Sequence, residues 1–224
     1  ARLVEQGNQA AFAPAPIDEV VASIRAEKPD LVFAAHVETA ARIILPDDYF
    51  KAMADAVHEV GDMLVLDCIA SGTVWVDMKS VGADVLISAP QKGWSSTPCG
   101  GLVMFSANAR ERIDATTSSS FACDFKKWMQ IMEAYENGGH AYHATMPTDA
   151  LTKLRAVMKE TEAYGFDKVC TEQWELGKQV RALTLSKGFR SVTAEGFQAP
   201  SVVVNYTDNT DIQNGKKFAQ LGMQ

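Results

Sequence analysis

The stretch VLISAPQKGWSSTPCGG, residues 85–101, decides the fold predicted for this chain. An apolar strand over 84–87 delivers a single lysine, Lys92, into a loop of small residues. A lysine that is buried or half-buried loses its charge easily, and the neutral amine can form a Schiff base with an aldehyde. The small residues leave room for such a ligand against the backbone. On this stretch alone a solvated surface lysine is the more frequent case.

The preceding strand strengthens the reactive reading of Lys92. The apolar run in DMLVLDCIASG, residues 62–72, ends in Asp67, 25 positions before Lys92. Ligands of open α/β sheets bind beyond the carboxyl ends of the strands, and this spacing suits one strand–helix–strand unit. An aspartate for a pyridine nitrogen and a lysine for an aldehyde are the two groups that a pyridoxal phosphate site requires. An ion pair between Asp67 and Lys92 is the alternative.

Three segments carry a resemblance to a known family: HVET at 36–39, LDCIAS at 66–71 and SAPQKG at 88–93. They resemble the class V aminotransferases of fold type I, and within that class the alanine–glyoxylate and serine–glyoxylate (serine–pyruvate) branch. The resemblance covers nearly all 224 residues. It implies an α/β fold with a mostly parallel sheet sandwiched by helices. Residues 1–164 would form the large cofactor-binding domain, and residues 165–224 the beginning of a smaller α+β C-terminal domain.

The resemblance also implies roles for five residues around pyridoxal 5'-phosphate. Lys92 matches the Schiff-base lysine, which holds the cofactor as an internal aldimine, and Asp67 matches the acid that keeps the pyridine nitrogen protonated. Ile69 matches the aliphatic residue under one face of the ring. Thr39 matches the hydroxyl residue near the phenolic oxygen of the ring, and Gln91 matches a residue that contacts the phosphate.

A second part of the resemblance concerns the neighbouring subunit. Tyr142 and Thr145 match a Tyr/Thr pair that reaches the phosphate held by the other chain. The resemblance therefore implies a homodimer in which each active site is built from two subunits.

The chain departs from the family pattern in two respects. After Thr39 the family continues with small residues and a glycine, whereas this chain has Ala40-Ala41-Arg42, and an arginine at the glycine position would crowd the turn. The family also has a phosphate-binding turn and a stacking aromatic residue before the segment that matches Ala1. Its carboxylate-binding arginine follows the segment that matches Gln224. We therefore expect the chain to be an internal fragment.

The implied reaction is transamination between a small amino acid, alanine or serine, and a 2-oxo acid, glyoxylate or pyruvate. Lys92 would act as general base at the α-carbon of the amino acid. A cysteine desulfurase remains an alternative, although Gln91 stands where that enzyme usually has a histidine. A catalytically incompetent dimerising core also remains open.

Composition and charge narrow the remaining classes of function. Apolar residues make up 47% and charged residues 22%, as in ordinary globular domains. The net charge of −7 argues against nucleic acid or a lipid surface as the main partner. No apolar run approaches ~18 residues, so no transmembrane helix is expected. The four cysteines form no CxxC pair and fit a reducing compartment, so a cytoplasmic location is expected.

Histidines near the predicted site offer little further chemistry. His140 and His143 are three positions apart but lack a convincing third ligand, so no metal site is predicted. His36 ends a strand close to the predicted site. It either shapes the cofactor pocket or is an ordinary strand-end histidine with satisfied hydrogen bonds.

Apolar periodicity predicts alternating helices and strands, typical of a sheet covered on both faces. The predicted helices are 17–26, 46–60, 78–81, 106–113, 125–135, 149–164 and 167–187. The predicted strands are 31–35, 63–66, 84–87 and 101–105, the last of them antiparallel, followed by 192–197 and 201–206 in the smaller domain.

Overall fold

The computed structural model describes residues 1–222 and contains nine helices and eight strands in that range. The strands are β1 (Arg2–Leu3), β2 (Phe12–Ala13), β3 (Leu31–Ala35), β4 (Val37–Glu38), β5 (Ile43–Ile44), β6 (Met63–Asp67), β7 (Val85–Ser88) and β8 (Leu102–Phe105). The helices are α1 (Ile17–Glu27), α2 (Asp47–Glu59), α3 (Met78–Val81), α4 (Ala107–Ala115), α5 (Phe125–Glu136), α6 (Thr148–Tyr164), α7 (Phe166–Ser186), α8 (Thr210–Gln213) and α9 (Lys216–Gln220).

The central sheet has four strands in the order β3-β6-β7-β8. The first three are parallel and β8 is antiparallel, which confirms the predicted mostly parallel α/β sheet. Ala35 pairs with Asp67, and Asp67 pairs with Ile87. The carboxyl ends of β3, β6 and β7 are therefore level, and the segments that leave them begin side by side.

Helices α1, α2 and α3 cover one face of this sheet. Phe50 of α2 and Leu64 and Leu66 of β6 are fully buried at the centre of that layer. Each such side chain stabilises the fold by about 1.5–3 kcal/mol relative to an exposed one. Because successive side chains of a strand point to opposite faces, Leu64 and Leu66 lie on this face and Asp67 lies on the opposite one.

On the face of Asp67, α5 packs against β8. The rings of Phe105 and Phe125 meet edge to face, with their centroids 5.1 Å apart. Phe105 pairs with Val85 and therefore shares the face of Val85 and Asp67. The helix predicted at 125–135 is therefore present as α5 and packs on the sheet through Phe125.

The strands predicted at 192–197 and 201–206 are wrong. These segments contain only isolated bridges, such as the one between Ser191 and Asn205. Several of their backbone groups bond to other parts of the chain: the amide of Phe12 donates to the carbonyl of Val192, and the amide of Ile44 donates to the carbonyl of Phe197. The amide of Val192 does donate to the carbonyl of Val204 at 3.2 Å, but no strand extends from this bond within the described residues.

The small C-terminal domain stays a prediction, and its last two residues, 223 and 224, lie outside the described residues. No helix within residues 1–222 is both long enough and apolar enough to cross a membrane.

The turn after Thr39 shows how the chain accommodates an arginine in place of glycine. Arg42 has φ 60°, in the left-handed region that favours glycine. The turn is held by Glu38, whose carboxylate accepts hydrogen bonds from the amides of Ala40 and Ala41 at 2.7 and 2.6 Å. Nε of Arg42 is buried and has no hydrogen-bond partner within the described residues. The predicted crowding is thus present as an unfavourable backbone conformation.

Candidate active site

The candidate site lies at the carboxyl edge of the central sheet. Backbone pairing continues just beyond the strands, since the amide of His36 donates to the carbonyl of Asp67 at 2.9 Å and the amide of Cys68 donates to that of Ile87 at 2.8 Å. Asp67 therefore sits on the middle strand, between the ends of its two neighbours. This is the edge at which ligands of open α/β sheets bind.

The carboxylate of Asp67 is held on one side only. Its Oδ1 accepts a hydrogen bond from the amide of Ile69 at 2.9 Å, which orients the carboxylate in the half-buried loop. Its Oδ2 accepts no hydrogen bond from any described residue. The alternative ion pair with Lys92 is not formed within residues 1–222. One oxygen of Asp67 is thus available to a proton-bearing group of a ligand.

Lys92 lies in a turn that follows β7. The amide of Lys92 donates to the carbonyl of Ala89 at 3.4 Å, and the amide of Ser95 donates to the carbonyl of Lys92 at 2.9 Å. The side chain is exposed, so the expectation of a buried or half-buried lysine is wrong for this structure. The reason is its place four residues beyond the last strand residue, where the sheet edge opens to solvent. Its amine forms no ion pair with any residue from 1 to 222.

Two glycines bring the loops of Asp67 and Lys92 into backbone contact. A Cβ built on Gly93 would lie 2.0 Å from the carbonyl oxygen of Gly72, far below any van der Waals distance. Gly72 itself has φ +63°. Only a residue without a side chain at position 93 permits this approach. The approach brings the residue after Lys92 into direct contact with the loop that begins at Asp67.

His36 and Ser71 form a buried polar pair beneath this contact. Nδ1 of His36 and Oγ of Ser71 are 2.7 Å apart, and the two residues are only 2% and 3% exposed. Burial lowers the pKa of His36 to about 4, because desolvation disfavours the imidazolium ion. His36 is therefore neutral at pH 7. The strand pattern predicts that His36 lies near the site but does not reveal Ser71, because no sequence pattern pairs residues 35 positions apart.

The cysteine next to Asp67 is inert. Burial raises the pKa of the Cys68 thiol to about 12, with the neighbouring charge of Asp67 adding to the rise and a hydrogen bond with Ser71 opposing it. The thiolate is the nucleophilic form of cysteine. Cys68 therefore stays protonated and acts as a small apolar residue.

The other predicted site residues fall into two groups. Ile69 and Gln91 follow β6 and β7 by two and three residues, at the sheet edge of Asp67 and Lys92, whereas Thr39 follows β4 in the turn of the β4–β5 hairpin. Tyr142 and Thr145 lie on a separate segment between α5 and α6. Their hydroxyls are 3.0 Å apart, and Tyr142 is 76% exposed. Neither hydroxyl bonds to the Asp67 or Lys92 loops within the described residues.

The residues at the sheet edge fit pyridoxal phosphate. Asp67 offers one unbonded carboxylate oxygen for a pyridinium N–H, and Lys92 offers an exposed amine without an ion-pair partner among residues 1–222. Half-buried Ile69 lies next to them as an apolar surface. A metal is a poorer match, because no group of three or more His, Cys, Asp or Glu residues in the described range could hold one.

Comparisons with known proteins agree with this arrangement. No protein-family model matches the chain. The chain is 30% identical over 142 residues to the alanine–glyoxylate aminotransferase of Callithrix jacchus, a match that covers 62% of this chain and 33% of the relative. It is 28% identical over 171 residues to the same enzyme of Felis catus, covering 74% and 39%.

A solved structure shows the same fold. The alanine–glyoxylate aminotransferase of Nostoc sp. superposes with a TM-score of 0.78 at 18% identity, covering 91% of this chain and 53% of the other. The chain therefore has the architecture of the fold type I pyridoxal phosphate-dependent transferases. Within that class its resemblance to the alanine–glyoxylate aminotransferases is confirmed. It spans only about a third to a half of the length of these relatives.

Proposed function

We propose that the protein is a pyridoxal phosphate-dependent aminotransferase that acts on a small amino acid, alanine or serine, and a 2-oxo acid, glyoxylate or pyruvate. The observation that carries the proposal is the direct contact between the loop of Asp67 and the loop of Lys92, at the carboxyl edge of a parallel sheet. The names of the curated relatives, which combine alanine with glyoxylate, support the choice of substrates.

Each residue of the site has a separate task in this proposal. Pyridoxal phosphate supplies an aldehyde and an electron-accepting ring when it is bound. Nζ of Lys92 would hold the cofactor, and as a free amine it would take the proton from the α-carbon of the amino acid. Asp67 accepts a hydrogen bond from the pyridine N–H and keeps that nitrogen protonated. Ile69 packs against the ring, and Thr39 and Gln91 contact its polar substituents.

The covalent link is tested by reduction and mapping. Borohydride treatment of the cofactor-loaded protein should leave a pyridoxyl group on the peptide that contains Lys92. Lys92→Ala should lose this label, whereas Lys79→Ala, which removes an exposed lysine on α3, should keep it. A label on any other lysine of the loaded protein, or none, would refute the assignment of Lys92.

A homodimer with shared active sites is part of the proposal. Tyr142 and Thr145 support it, because their hydroxyls form an exposed pair that is free of the chain's own site residues within the described range. Chains with Lys92→Ala are mixed with chains that carry Tyr142→Phe and Thr145→Ala. In the mixed dimer one site has both defects and the other has neither, so activity should rise above that of either parent. Heterodimers without restored activity would contradict the sharing.

The structure does not favour the two alternative functions. A cysteine desulfurase needs an accessible reactive thiol near the lysine. Of the cysteines on the segments of Asp67 and Lys92, Cys68 has a thiol pKa raised by burial and Cys99 is buried, and the exposed Cys123 lies on the separate segment between α4 and α5. An inert dimerising core would show no cofactor absorbance after incubation with pyridoxal phosphate. The proposed aminotransferase should show it, together with amino-group transfer from alanine or serine to glyoxylate or pyruvate.

A cytoplasmic location is proposed from the cysteines. All four are free in the structure, including the exposed Cys123, which fits a reducing compartment. A native disulfide in the protein isolated without reductant would contradict this proposal.

A further inference from the structure

The buried pair of His36 and Ser71 lies where the two loops of the site are joined, and no step of the proposed reaction uses it. We propose that His36 and Ser71 are positioning residues that hold the loop of Asp67 against the loop of Lys92. The inference rests on the proposed function, because the geometry that the pair controls matters only if these two residues act on one ligand.

His36 is a rigid anchor for this interaction. Its backbone amide donates to the carbonyl of Asp67 at 2.9 Å, and its carbonyl accepts from the amide of Leu45 at 3.1 Å. Its ring packs against Phe50, with the centroids 5.8 Å apart, and is almost completely enclosed. Because its backbone is bonded on both sides and its ring is enclosed, His36 offers Nδ1 to Ser71 in one fixed position.

Ser71 passes this constraint to the loop that leaves β6. Its amide donates to the carbonyl of Cys68 at 3.3 Å, and its carbonyl accepts from the amide of Val74 at 3.2 Å, so the serine lies at the centre of a tight turn. Oγ of Ser201 donates to the carbonyl of Ala70 at 2.9 Å and closes the turn from the other side. The bond to His36 is the contact that ties this turn to β3.

The next residue transmits the constraint to Lys92. Gly72 follows Ser71, and its carbonyl oxygen is the atom against which Gly93 packs. A displacement of the turn at Ser71 must move that oxygen and, with it, the backbone next to Lys92. A shift of about 1 Å between a catalytic group and its target can lower a rate by roughly 100-fold. The pair is therefore placed to set the separation of Asp67 and Lys92.

The first test needs no cofactor. Hydrogen exchange is followed in Ser71→Ala at the amide of Ile69, which bonds to Asp67, and at the amide of Ser95, which bonds to the carbonyl of Lys92. Both should exchange at least about 10-fold faster than in the unchanged protein, because a buried hydrogen bond that orders both loops is lost. The amide of Leu64, which bonds to Asp84 at the opposite end of the sheet, should keep its rate.

A matched control separates positioning from general stability. Ser106→Ala also removes a hydroxyl from a hydrogen bond to a buried side chain, that of Asp84, at the far end of β7. It should speed exchange at Leu64 and leave Ile69 and Ser95 unchanged. Equal acceleration at all three amides in both variants would show that Ser71 serves stability only, and would overturn the inference.

The second test uses the cofactor-loaded protein. Ser71→Ala should shift the absorbance maximum of the bound cofactor and lower kcat by roughly 10- to 100-fold, with a smaller change in KM for the 2-oxo acid. In otherwise unchanged protein, His36→Asn places an amide atom near the position of Nδ1 and should retain much of kcat. His36→Leu has no such atom and should lose it. If Ser71→Ala fails to fold, the comparison of the two His36 variants decides, and equal kcat values for them would overturn the inference.

The outcomes distinguish the two proposals. If the unchanged protein neither absorbs as a cofactor complex nor labels at Lys92, the proposed function fails, while local exchange still tests whether the pair couples the loops. If the unchanged protein labels at Lys92 but Ser71→Ala matches it in exchange, spectrum and kcat, the function stands and the positioning role is refuted.

Discussion

The arginine in the turn after Thr39 leads to a prediction about stability. Arg42 has φ 60°, and the left-handed conformation costs a residue with a side chain about 1–2 kcal/mol. Its buried Nε, which has no partner within residues 1–222, adds an unfavourable desolvation of about 1 kcal/mol or more. Replacement by glycine removes both costs, but it adds about 0.5–1 kcal/mol of unfolded-state entropy and loses some packing of the arginine stem.

Two variants separate the backbone cost from the side-chain cost. Arg42→Ala removes Nε but keeps the left-handed strain, whereas Arg42→Gly removes both. We therefore expect Arg42→Gly to be more stable than Arg42→Ala by about 1 kcal/mol, and to be at least as stable as the unchanged protein. Urea unfolding gives the comparison, because a change in midpoint at constant m-value reports a change in the free energy of unfolding.

Two lysines at helix ends show whether urea unfolding detects the cost of a left-handed backbone in this protein. Lys28 follows α1 with φ 45°, and Lys187 follows α7 with φ −92°. Glycine should be more stable than alanine at 28 but not at 187, since only the first position is left-handed. The reasoning is refuted if Arg42→Ala equals or exceeds Arg42→Gly in stability while the two lysine positions behave as stated.

Three further predictions concern the site. Gly93→Ala should lower the free energy of unfolding by about 1–3 kcal/mol and reduce borohydride labelling of Lys92, because the new methyl group would meet the carbonyl of Gly72. Gly100→Ala is the control and should have neither effect, since a Cβ there meets nothing within 4 Å. Asp67→Ala should lower kcat and kcat/KM together by roughly 100-fold or more while the covalent label persists, and unchanged turnover would mean that Asp67 has a structural role. The lowered pKa of His36, about 4, should make the free energy of unfolding depend on pH, because the unfolded state binds the proton more readily than the folded state. The free energy of unfolding is therefore at its full value above pH 6.5 and falls by up to about 3 kcal/mol as the pH drops to 4. Urea midpoints at pH 7, 5.5 and 4 should show this loss relative to His36→Asn, and parallel curves for the two proteins would contradict it.

Much of the central layer could be predicted from the sequence because its periodicity is strong. Strand β6 is a short apolar run bounded by Gly61 and the polar Asp67, and α2 repeats apolar residues at helical spacing between Pro46 and Gly61. The same rules failed for 192–206. Apolar residues there also alternate, but several of their backbone groups bond to Phe12 and to the β4–β5 hairpin instead of to each other. Local pattern does not reveal which partner a backbone group will have.

The sequence by itself indicated that Asp67 ends one apolar strand and that Lys92 follows the next, since apolar runs and their spacing specify strands locally. Only the tertiary structure decided how the two loops meet. The approach of Gly93 to Gly72 and the bond between His36 and Ser71 join residues 21 and 35 positions apart, and such contacts depend on how the strands pair. The exposure of Lys92 was decided in the same way. A strand pattern fixes where a side chain enters a loop, whereas solvent access there depends on what packs around the sheet edge.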